Sequence, residues 1–561
     1  MSVAESPPPT PTPSSSIATA ARRFGDAYPA ISGVWRVRAA GALLLLTIAV
    51  YTPWMLSSLN GEVPLLAWSF AAASLFTVAT STLSVINAWT RRVPEPRPLA
   101  LSAATPHVAV LLPTCGEPVG MILRTLQSIL DQDWPRDRLT IIVSDDGHDP
   151  QLKTAVLAMG ADYHEPPDRW APCRDGAAKA GNLNSVWALV QAEYPWVDYV
   201  ETRDADDEVG SNGFLRQVVG QLEHDPRLAF VQTIKEAQVS AKDPFNNLEA
   251  MFYRGQMLSR NAANAVFPCG SGLVWRREAL ADIDGFPTWN LVEDLQSGVE
   301  ALRRGWHGLY LPIVGAVGQH APEDLPNFYK QRGTWAIDTV RLVVWGRMDG
   351  LSWRQRLHFY EQASFYFNGF TALVYIPCLF ASLLGWLPLA ADSLAYLGHM
   401  VPLAFATELW LIAYSRPYAD RRGKQREPIR ALWRVRVMWA GMAPVYMRAC
   451  VKAVLGGRRR KPVYVVTRKH DDLRWHWRSA APHTLLTVAV LAVFAYALGA
   501  DTIPNVGVLA GASYFGAMNV VLLSGFVTRS WHGITGIGRW AAQAPAPAPA
   551  EAAEPELTPA G

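Results

Sequence analysis

The stretch VDYVETRDADD, residues 197–207, decides the fold class of the central part of this chain. Residues 197–202 are mostly apolar and β-branched or aromatic, which predicts a buried strand that ends directly in a polar loop. Two carboxylates separated by one residue, Asp204 and Asp206, can both face a hard divalent cation that bridges the phosphates of a diphosphate. An isolated Asp-x-Asp is more often an acidic surface loop, but its place at a strand end favours a metal site.

Further strands surround this one. Residues 107–114, 139–144 and 228–233 are predicted as buried strands, and residues 119–131 as a helix, which together indicate an α/β domain. The first strand runs into Thr114 and Glu117, and the second into Asp145-Asp146-Gly147. An Asp-Asp-Gly alone is more often a solvated turn. Because ligands of such folds bind beyond the carboxyl ends of the strands, we expect a nucleotide base and ribose here.

Two more motifs follow downstream. Val292-Glu293-Asp294 begins a helical stretch, residues 293–304. Asp294 could simply cap that helix, but it could also be the general base that glycosyl transfer requires. Gln331-Arg332-Gly333-Thr334-Trp335 offers a cation for phosphate and an indole for a sugar ring, or an interfacial helix with a membrane-anchoring tryptophan.

The ends of this domain adjoin apolar runs long enough to span a membrane, for which about 20 residues suffice. Of all residues, 50% are hydrophobic and 18% charged. The runs are residues 39–58, 63–89, 364–387, 394–414, 483–499 and 504–526. Clusters of Arg and Lys at 36–38, 91–92, 416–436 and 458–461 all fall on one side of these spans, which predicts that this side is cytoplasmic.

Composition excludes several other classes. The net charge of +3 gives no basic field for nucleic acid, and the five cysteines lack the spacing of a zinc site. The spans carry almost no ionisable residues of the kind that a pure transporter needs for coupling. His320 could be a further metal ligand, but a lone histidine is more often structural.

Taken in order, these motifs resemble those of the processive inverting glycosyltransferases of cellulose synthase type. That family carries Asp-Asp-Gly, Asp-x-Asp, Thr-Glu-Asp and Gln-x-x-Arg-Trp, which stand here at residues 145–147, 204–206, 292–294 and 331–335. The linking segments AKAGNLN at 178–184 and FPCGSG at 267–272 are also similar. After the fourth span, YVVTRK at 464–469 resembles the gating loop that covers the donor pocket. The resemblance runs from about residue 107 to 345 and continues into this loop.

The resemblance implies an α/β GT-A-type glycosyltransferase domain inserted in a polytopic α-helical domain of about six spans. It also implies a UDP-sugar donor, UDP-glucose first, a growing polysaccharide acceptor, Mg²⁺ or Mn²⁺ as cofactor, and an inverting reaction that gives a β-glycan. Asp294, beside Glu293, would be the catalytic base, and Asp204 and Asp206 would engage the metal. The implied substrate-binding residues are Thr114, Glu117, Asp145, Asp146, Lys179, Asp204, Gln331, Arg332, Trp335, Tyr464, Val466, Thr467 and Lys469.

Three features depart from the family pattern. Thr334 replaces an Arg that contacts the diphosphate, and Val292 replaces a Thr beside the Glu-Asp pair. No domain is expected after the last span, so neither is regulation by cyclic-di-GMP. The alternatives are a synthase of a mannan or aminosugar polymer, a lipid-directed transferase, or a catalytically degenerate export or scaffold protein.

The expected organisation places the protein in the plasma membrane, in contact with lipid and possible accessory export subunits, with its catalytic domain in the cytoplasm. The predicted segments are a tail at 1–37, two spans at 38–90, the glycosyltransferase domain at 100–345, an interfacial segment at 346–362, two spans at 363–415, an interface helix and gating loop at 416–481, two spans at 482–527 and a tail at 528–561.

Overall fold

The structure is a computed structural model that describes residues 34–168, 171, 173–176, 178–239, 245–322, 324–415, 427–459 and 476–530. The predicted gating-loop residues Tyr464, Val466, Thr467 and Lys469 lie outside the described residues, as do both predicted terminal tails except for a few residues.

The described chain begins with two apolar helices, α1 (Val34–Ser57) and α2 (Pro64–Ala88), joined by a short turn. A domain in which helices and strands alternate follows. Its elements are β1 (Val108–Thr114), α3 (Val119–Leu130), β2 (Leu139–Asp145), α4 (Pro150–Ala158), β3 (Asp162–His164), α5 (Ala178–Glu193), β4 (Tyr199–Thr202), β5 (Asp207–Val209), α6 (Phe214–His224), β6 (Leu228–Ala237), α7 (Met257–Ala263), β7 (Leu273–Arg276), α8 (Arg277–Asp282), α9 (Asp294–Arg303) and β8 (His307–Gly318).

The strands form one eight-stranded mixed sheet in the order β3-β2-β1-β4-β7-β6-β8-β5. β1 pairs in parallel with both β2 and β4, so their carboxyl ends meet at one edge, where Thr114 is in register with Asp145. β7 is antiparallel to β4 and β6. This confirms the expected α/β fold and places the polar motifs after β1, β2 and β4 side by side.

Side chains of β1 alternate between the two faces of the sheet, as strand geometry requires. Val108, Val110 and Leu112 pack in one hydrophobic cluster with α3 and α6, whereas Ala109 and Leu111 pack in a second with α5. Both faces of the sheet are therefore covered by helices, which explains why the strands read as continuous apolar runs rather than as alternating ones.

The remaining helices follow the sheet. They are α10 (Leu325–Trp345), α11 (Trp353–Phe367), α12 (Ala372–Leu383), α13 (Ser393–Ser415), α14 (Glu427–Gly456), α15 (Trp477–Gly499) and α16 (Val506–Ser530). Six helical segments of the described chain are long and apolar enough to cross a membrane: α1, α2, the continuous segment Trp353–Leu383, α13, α15 and α16. Six spans were expected from the sequence.

The third span differs from the sequence-based prediction, which had it begin near residue 364 after an interfacial segment. The structure begins the helical segment at Trp353, where Ser352 and Gln355 form a capping box, and continues it through a 3-10 turn at Asn368–Thr371. Polar residues in the first three turns interrupt the apolar run in the sequence but do not interrupt the helix. The length of the apolar run in the sequence therefore underestimates the length of this helical segment.

Candidate active site

The first candidate motif, at the end of β2, is held by the protein itself. The buried carboxylate of Asp145 accepts hydrogen bonds from the Thr114 hydroxyl (2.9 Å), the backbone N–H groups of Gly147 and Asp149 (both 2.8 Å) and the Tyr163 hydroxyl (2.8 Å). Both of its oxygens are thus occupied by donors from the turn and from β3. Asp145 organises the turn that follows β2.

Asp146 is engaged in a different way. The guanidinium of Arg174 donates two parallel hydrogen bonds to its carboxylate, at 2.7 and 2.9 Å, and a third to the carbonyl of Ala178 at 3.1 Å. The side chains of both partners are almost fully buried. Glu117 accepts a hydrogen bond from the backbone N–H of Cys115 at 2.6 Å. The predicted contacts of these residues with a nucleotide stay predictions.

The second acidic motif, after β4, is surrounded by cations. One oxygen of Asp204 lies 2.5 Å from the Lys179 ammonium and the other 2.5 Å from the Lys235 ammonium, which also lies 2.8 Å from Asp207. Burial raises the pKa of Asp204, but the two ammonium groups outweigh burial and hold that pKa well below its usual range. Asp206 is buried beside the same cluster. Sequence reasoning found Lys179 but missed Lys235.

Lys179 connects this motif to the candidate base. Its ammonium also lies 3.2 Å from Glu293 and donates to the carbonyl of Gly270 at 3.1 Å. Gly270 has a φ of +82°, and a Cβ there would lie 3.2 Å from the Lys179 ammonium and 3.3 Å from a carboxylate oxygen of Asp294. The structure thus brings together four residues that are up to 115 positions apart in the sequence: Lys179, Asp204, Glu293 and Asp294.

Asp294 occupies the first position of α9, and its carboxylate accepts a hydrogen bond from the N–H of Leu295 at 2.7 Å. Burial, and next the negative charge of Glu293, raise the pKa of Asp294 to about 7 even though Lys179 opposes the change. A carboxylate with a pKa near neutrality can take a proton from a hydroxyl and release it again. The burial and the raised pKa are what a general base at this position needs, and the role of Asp294 stays a prediction.

The loop before Asp294 is positioned by α10. The carboxylate of Asp338 accepts hydrogen bonds from the N–H groups of Leu291 (3.0 Å) and Val292 (3.1 Å), and Arg341 donates to the carbonyl of Trp289 at 2.6 Å. Sequence reasoning missed both residues. The sequence did contain a signal for them, because an Asp and an Arg stand among the mostly apolar residues that follow Trp335 in the same helix.

The Gln331–Trp335 motif lies within α10, and all of its residues are partly buried. The guanidinium of Arg332 forms an ion pair with Glu249 and lies over the Trp335 ring, 4.4 Å from its centroid. The Thr334 hydroxyl donates to the carbonyl of Lys330, one turn earlier in the helix, at 2.8 Å. The motif thus directs one cation to Glu249 and presents an indole beside it.

No group of three or more His, Cys, Asp or Glu side chains with the arrangement of a metal site occurs among the described residues, and His320 therefore gains no support as a ligand. Mg²⁺ and Mn²⁺ need fewer protein ligands when a substrate diphosphate supplies the others. An Asp-x-Asp pair is sufficient for that arrangement.

Comparison with known proteins defines the class first. Residues 106–337, which contain the whole sheet and the four motifs, match the family model described as glycosyltransferase-like family 2. The sheet, the Asp-x-Asp after β4 and this match define a GT-A-type domain of the family-2 glycosyltransferase type within residues 106–337.

The six candidate membrane spans and the order of the motifs assign the chain to a more specific group within this class: it is cellulose synthase-like. It is 30% identical over 398 residues to putative cellulose synthase 2 of Komagataeibacter xylinus, an alignment that covers 66% of this chain and 25% of the relative. It is 28% identical over 409 residues to the UDP-forming cellulose synthase catalytic subunit of Pseudomonas fluorescens strain SBW25. That alignment covers 68% of this chain and 50% of the relative. The chain thus spans between a quarter and a half of the length of these relatives.

Among solved structures, a mannosyltransferase from Pyrobaculum calidifontis in complex with GDP-Man and Mn²⁺ is similar, with a TM-score of 0.46 and 20% sequence identity. The similarity covers 69% of this chain and 99% of that one.

Proposed function

We propose that this protein is a processive inverting glycosyltransferase that polymerises a UDP-sugar, UDP-glucose first, into a β-glycan such as cellulose and exports it through its membrane helices. The observation that carries the proposal is the position of Asp294. This buried carboxylate, with a pKa near 7, is next to Glu293, whose side chain pairs with Lys179, and the same lysine pairs with Asp204 of the Asp-x-Asp motif. A base and a diphosphate site side by side are what transfer from a nucleotide sugar requires.

In the proposed reaction, Asp294 accepts the proton of the acceptor hydroxyl as that oxygen attacks the anomeric carbon. The bond from the anomeric carbon to the diphosphate breaks, and the electron pair leaves with the diphosphate. A single displacement from the face opposite the leaving group inverts the anomeric centre, so an α-linked donor gives a β-linkage. Lys179 lies beside Asp204 and stabilises the charge that develops on the leaving group. Trp335 supports the acceptor sugar by stacking.

The acidic cluster fits a divalent cation. Asp204, Asp206, Asp207, Glu293 and Asp294 face two lysines, an excess of three negative charges when all are ionised. In addition, one oxygen of the buried Asp207 lies 2.8 Å from the Lys235 ammonium, whereas its other oxygen has no hydrogen-bond partner in the described part of the chain. Asp204 and Asp206 would hold Mg²⁺ or Mn²⁺, which supplies positive charge to the leaving diphosphate. The choice between the two ions is left to experiment.

We further propose that the catalytic domain lies in the cytoplasm, between the second and third spans. The first, third and fifth spans all begin with a Trp-Arg pair, at residues 35–36, 353–354 and 477–478. The three indoles are 69%, 64% and 53% exposed, and each guanidinium lies over its neighbouring ring. Exposed tryptophans and arginines at one set of helix ends support a cytoplasmic interface of the plasma membrane on that side.

The experiment that tests this function uses membrane vesicles containing the full chain, Mg²⁺ or Mn²⁺ and radiolabelled UDP-glucose. We expect insoluble polymer, which linkage-specific glucanases digest, and we expect none from an Asp294→Asn variant. Asp137→Asn serves as the matched control, because the Asp137 side chain is largely exposed on the surface of the domain. It should retain wild-type yield.

Other donors are assayed in the same vesicles. Polymer from GDP-mannose or from a UDP-aminosugar, with none from UDP-glucose, would replace the glucan by a mannan or an aminosugar polymer. Label that is extractable into organic solvent would indicate a lipid acceptor. Polymer whose yield is unaffected by Asp294→Asn would refute the role of Asp294.

A further inference from the structure

Lys235 contacts the acidic motif from a strand that sequence reasoning left without a functional residue. It lies on β6, and its ammonium bridges Asp204 (2.5 Å) and Asp207 (2.8 Å). Its side chain is 28% exposed, the same fraction as that of Lys179. The side chain is therefore not fully buried, and a ligand that enters the carboxylate cluster can reach it.

The carboxylate of Asp204 has an ammonium group at 2.5 Å from each of its oxygens. A divalent cation that binds either oxygen must displace one of these ammonium groups, because like charges repel strongly at such distances. Lys179 is held by three partners, namely Asp204, Glu293 and the carbonyl of Gly270. Lys235 is held by Asp204 and Asp207, so Lys235 is the easier of the two to displace.

The diphosphate also needs a cation that the Gln331–Trp335 motif does not offer. Arg332 is paired with Glu249 and stacked on Trp335, and the Thr334 hydroxyl is bonded within its own helix. A leaving diphosphate is stabilised by positioned cations, each of which contributes substantially to the rate of transfer. Lys235 is a cation that already lies at the acidic motif.

We propose that Lys235 is the exchangeable cation of the diphosphate site. It neutralises Asp204 and Asp207 when no divalent cation is bound, and it turns to the diphosphate of the nucleotide sugar when a divalent cation takes its place on Asp204. This role depends on the proposed transfer from a nucleotide sugar.

Two binding titrations on the purified full-length protein test the proposal: free Mn²⁺ measured by electron paramagnetic resonance without nucleotide, and UDP measured by calorimetry at saturating Mn²⁺. For Lys235→Met we expect the Kd for Mn²⁺ to fall about tenfold, because a competing positive charge is removed, and the Kd for UDP to rise about tenfold. Lys235→Arg should restore much of both values. The exposed Lys452, replaced by Met, is the control and should change neither.

The opposite signs of the two effects distinguish this role from structural damage, which would weaken both ligands. A Lys235→Met variant that binds both ligands more weakly, or both as wild type does, overturns the proposal, as does a wild-type protein that binds no Mn²⁺. If the wild type binds Mn²⁺ but not UDP, the proposed donor is refuted, whereas the Mn²⁺ titration still decides whether Lys235 competes at Asp204.

Discussion

The two acidic motifs at the carboxyl edge of the sheet look alike in the sequence but differ in their surroundings. Around Asp145, neutral donors from β1, the turn and β3 satisfy the carboxylate, and the buried guanidinium of Arg174 pairs with Asp146 alone among the described carboxylates. Around Asp204, by contrast, several carboxylates share two lysines. The first motif is fully compensated by the protein, whereas the second carries an excess of negative charge.

From this difference we expect a mainly structural contribution from the first motif and a functional one from the second. A buried charge whose hydrogen bonds are all made stabilises the local fold, and its loss exposes the unsatisfied partners. A cluster of like charges reduces stability and is tolerated where binding of an external cation or a proton relieves it. We therefore expect substitutions in the first motif to change stability and substitutions in the second to change catalysis.

The largest expected effect is the loss of catalysis in Asp294→Asn. Removal of a general base costs about 10²- to 10⁴-fold in rate, and we expect polymer formation to fall by about 10³-fold. The melting temperature at pH 8 should not fall, because the amide removes a carboxylate whose ionisation Glu293 opposes. Initial rates and thermal unfolding of the purified protein check both. A stable protein with unchanged rate would show that Asp294 is not the catalytic base.

The next effect concerns the first motif. Asp145→Ala leaves several buried donors without an acceptor, and we expect a loss of about 3 kcal/mol in the free energy of unfolding. Activity per folded molecule should stay within about threefold of wild type. Chemical denaturation and UDP-sugar kinetics measure the two quantities, with Tyr163→Phe, which removes a single donor, as a milder companion. A large rise in KM with unchanged stability would instead indicate direct nucleotide contact.

A smaller effect is expected at the junction between the base and the lysine. Gly270→Ala introduces a Cβ that would lie close to both the Lys179 ammonium and Asp294, at a residue whose φ of +82° disfavours side chains. We expect kcat to fall about tenfold, because the Lys179 ammonium and the Asp294 carboxylate must move away from the added Cβ. Gly160→Ala is the control: its φ is also positive, at +75°, and its nearest neighbour is an arginine side-chain nitrogen at 3.9 Å. Equal losses in both variants would assign the effect to backbone strain alone.

The sequence was sufficient to predict the α/β class, the six spans and the place of the motifs, because apolar run length and strand-end polarity are local signals. It was not sufficient for Lys235, Asp338 or Arg174. Each of these acts through a partner between 28 and 47 positions away in the chain, and only the three-dimensional fold determines which residues meet. The pairing of Arg332 with Glu249 was unpredictable for the same reason.

The smallest expected effect is a change of pH dependence, and it tests how far the neighbouring charge of Glu293 sets the pKa of Asp294. Asp294 must be ionised to act as a base, so the rate should rise with pH through about 7, with a slope of one on logarithmic axes. Glu293→Gln removes a negative charge that raises the pKa of Asp294, so the rising limb should move to lower pH.

The stability of the folded protein should change with pH in the opposite direction to the rate. Because folding raises the pKa of Asp294 from 3.8 to about 7, ionisation destabilises the folded state, and stability is lost as pH rises across that interval.

The loss of stability between pH 4 and pH 7 should therefore be smaller in Glu293→Gln than in wild type, while the rate at pH 6 relative to its plateau should be larger. Both follow from the same change in one pKa, so they must appear together. Rate profiles and melting temperatures over this pH range measure them on one protein preparation, with Glu278→Gln as a control at a carboxylate on α8, away from the cluster. A rising limb that stays at the wild-type pH would mean that the charge of Glu293 does not raise the pKa of Asp294, and that burial is the main cause of the shift.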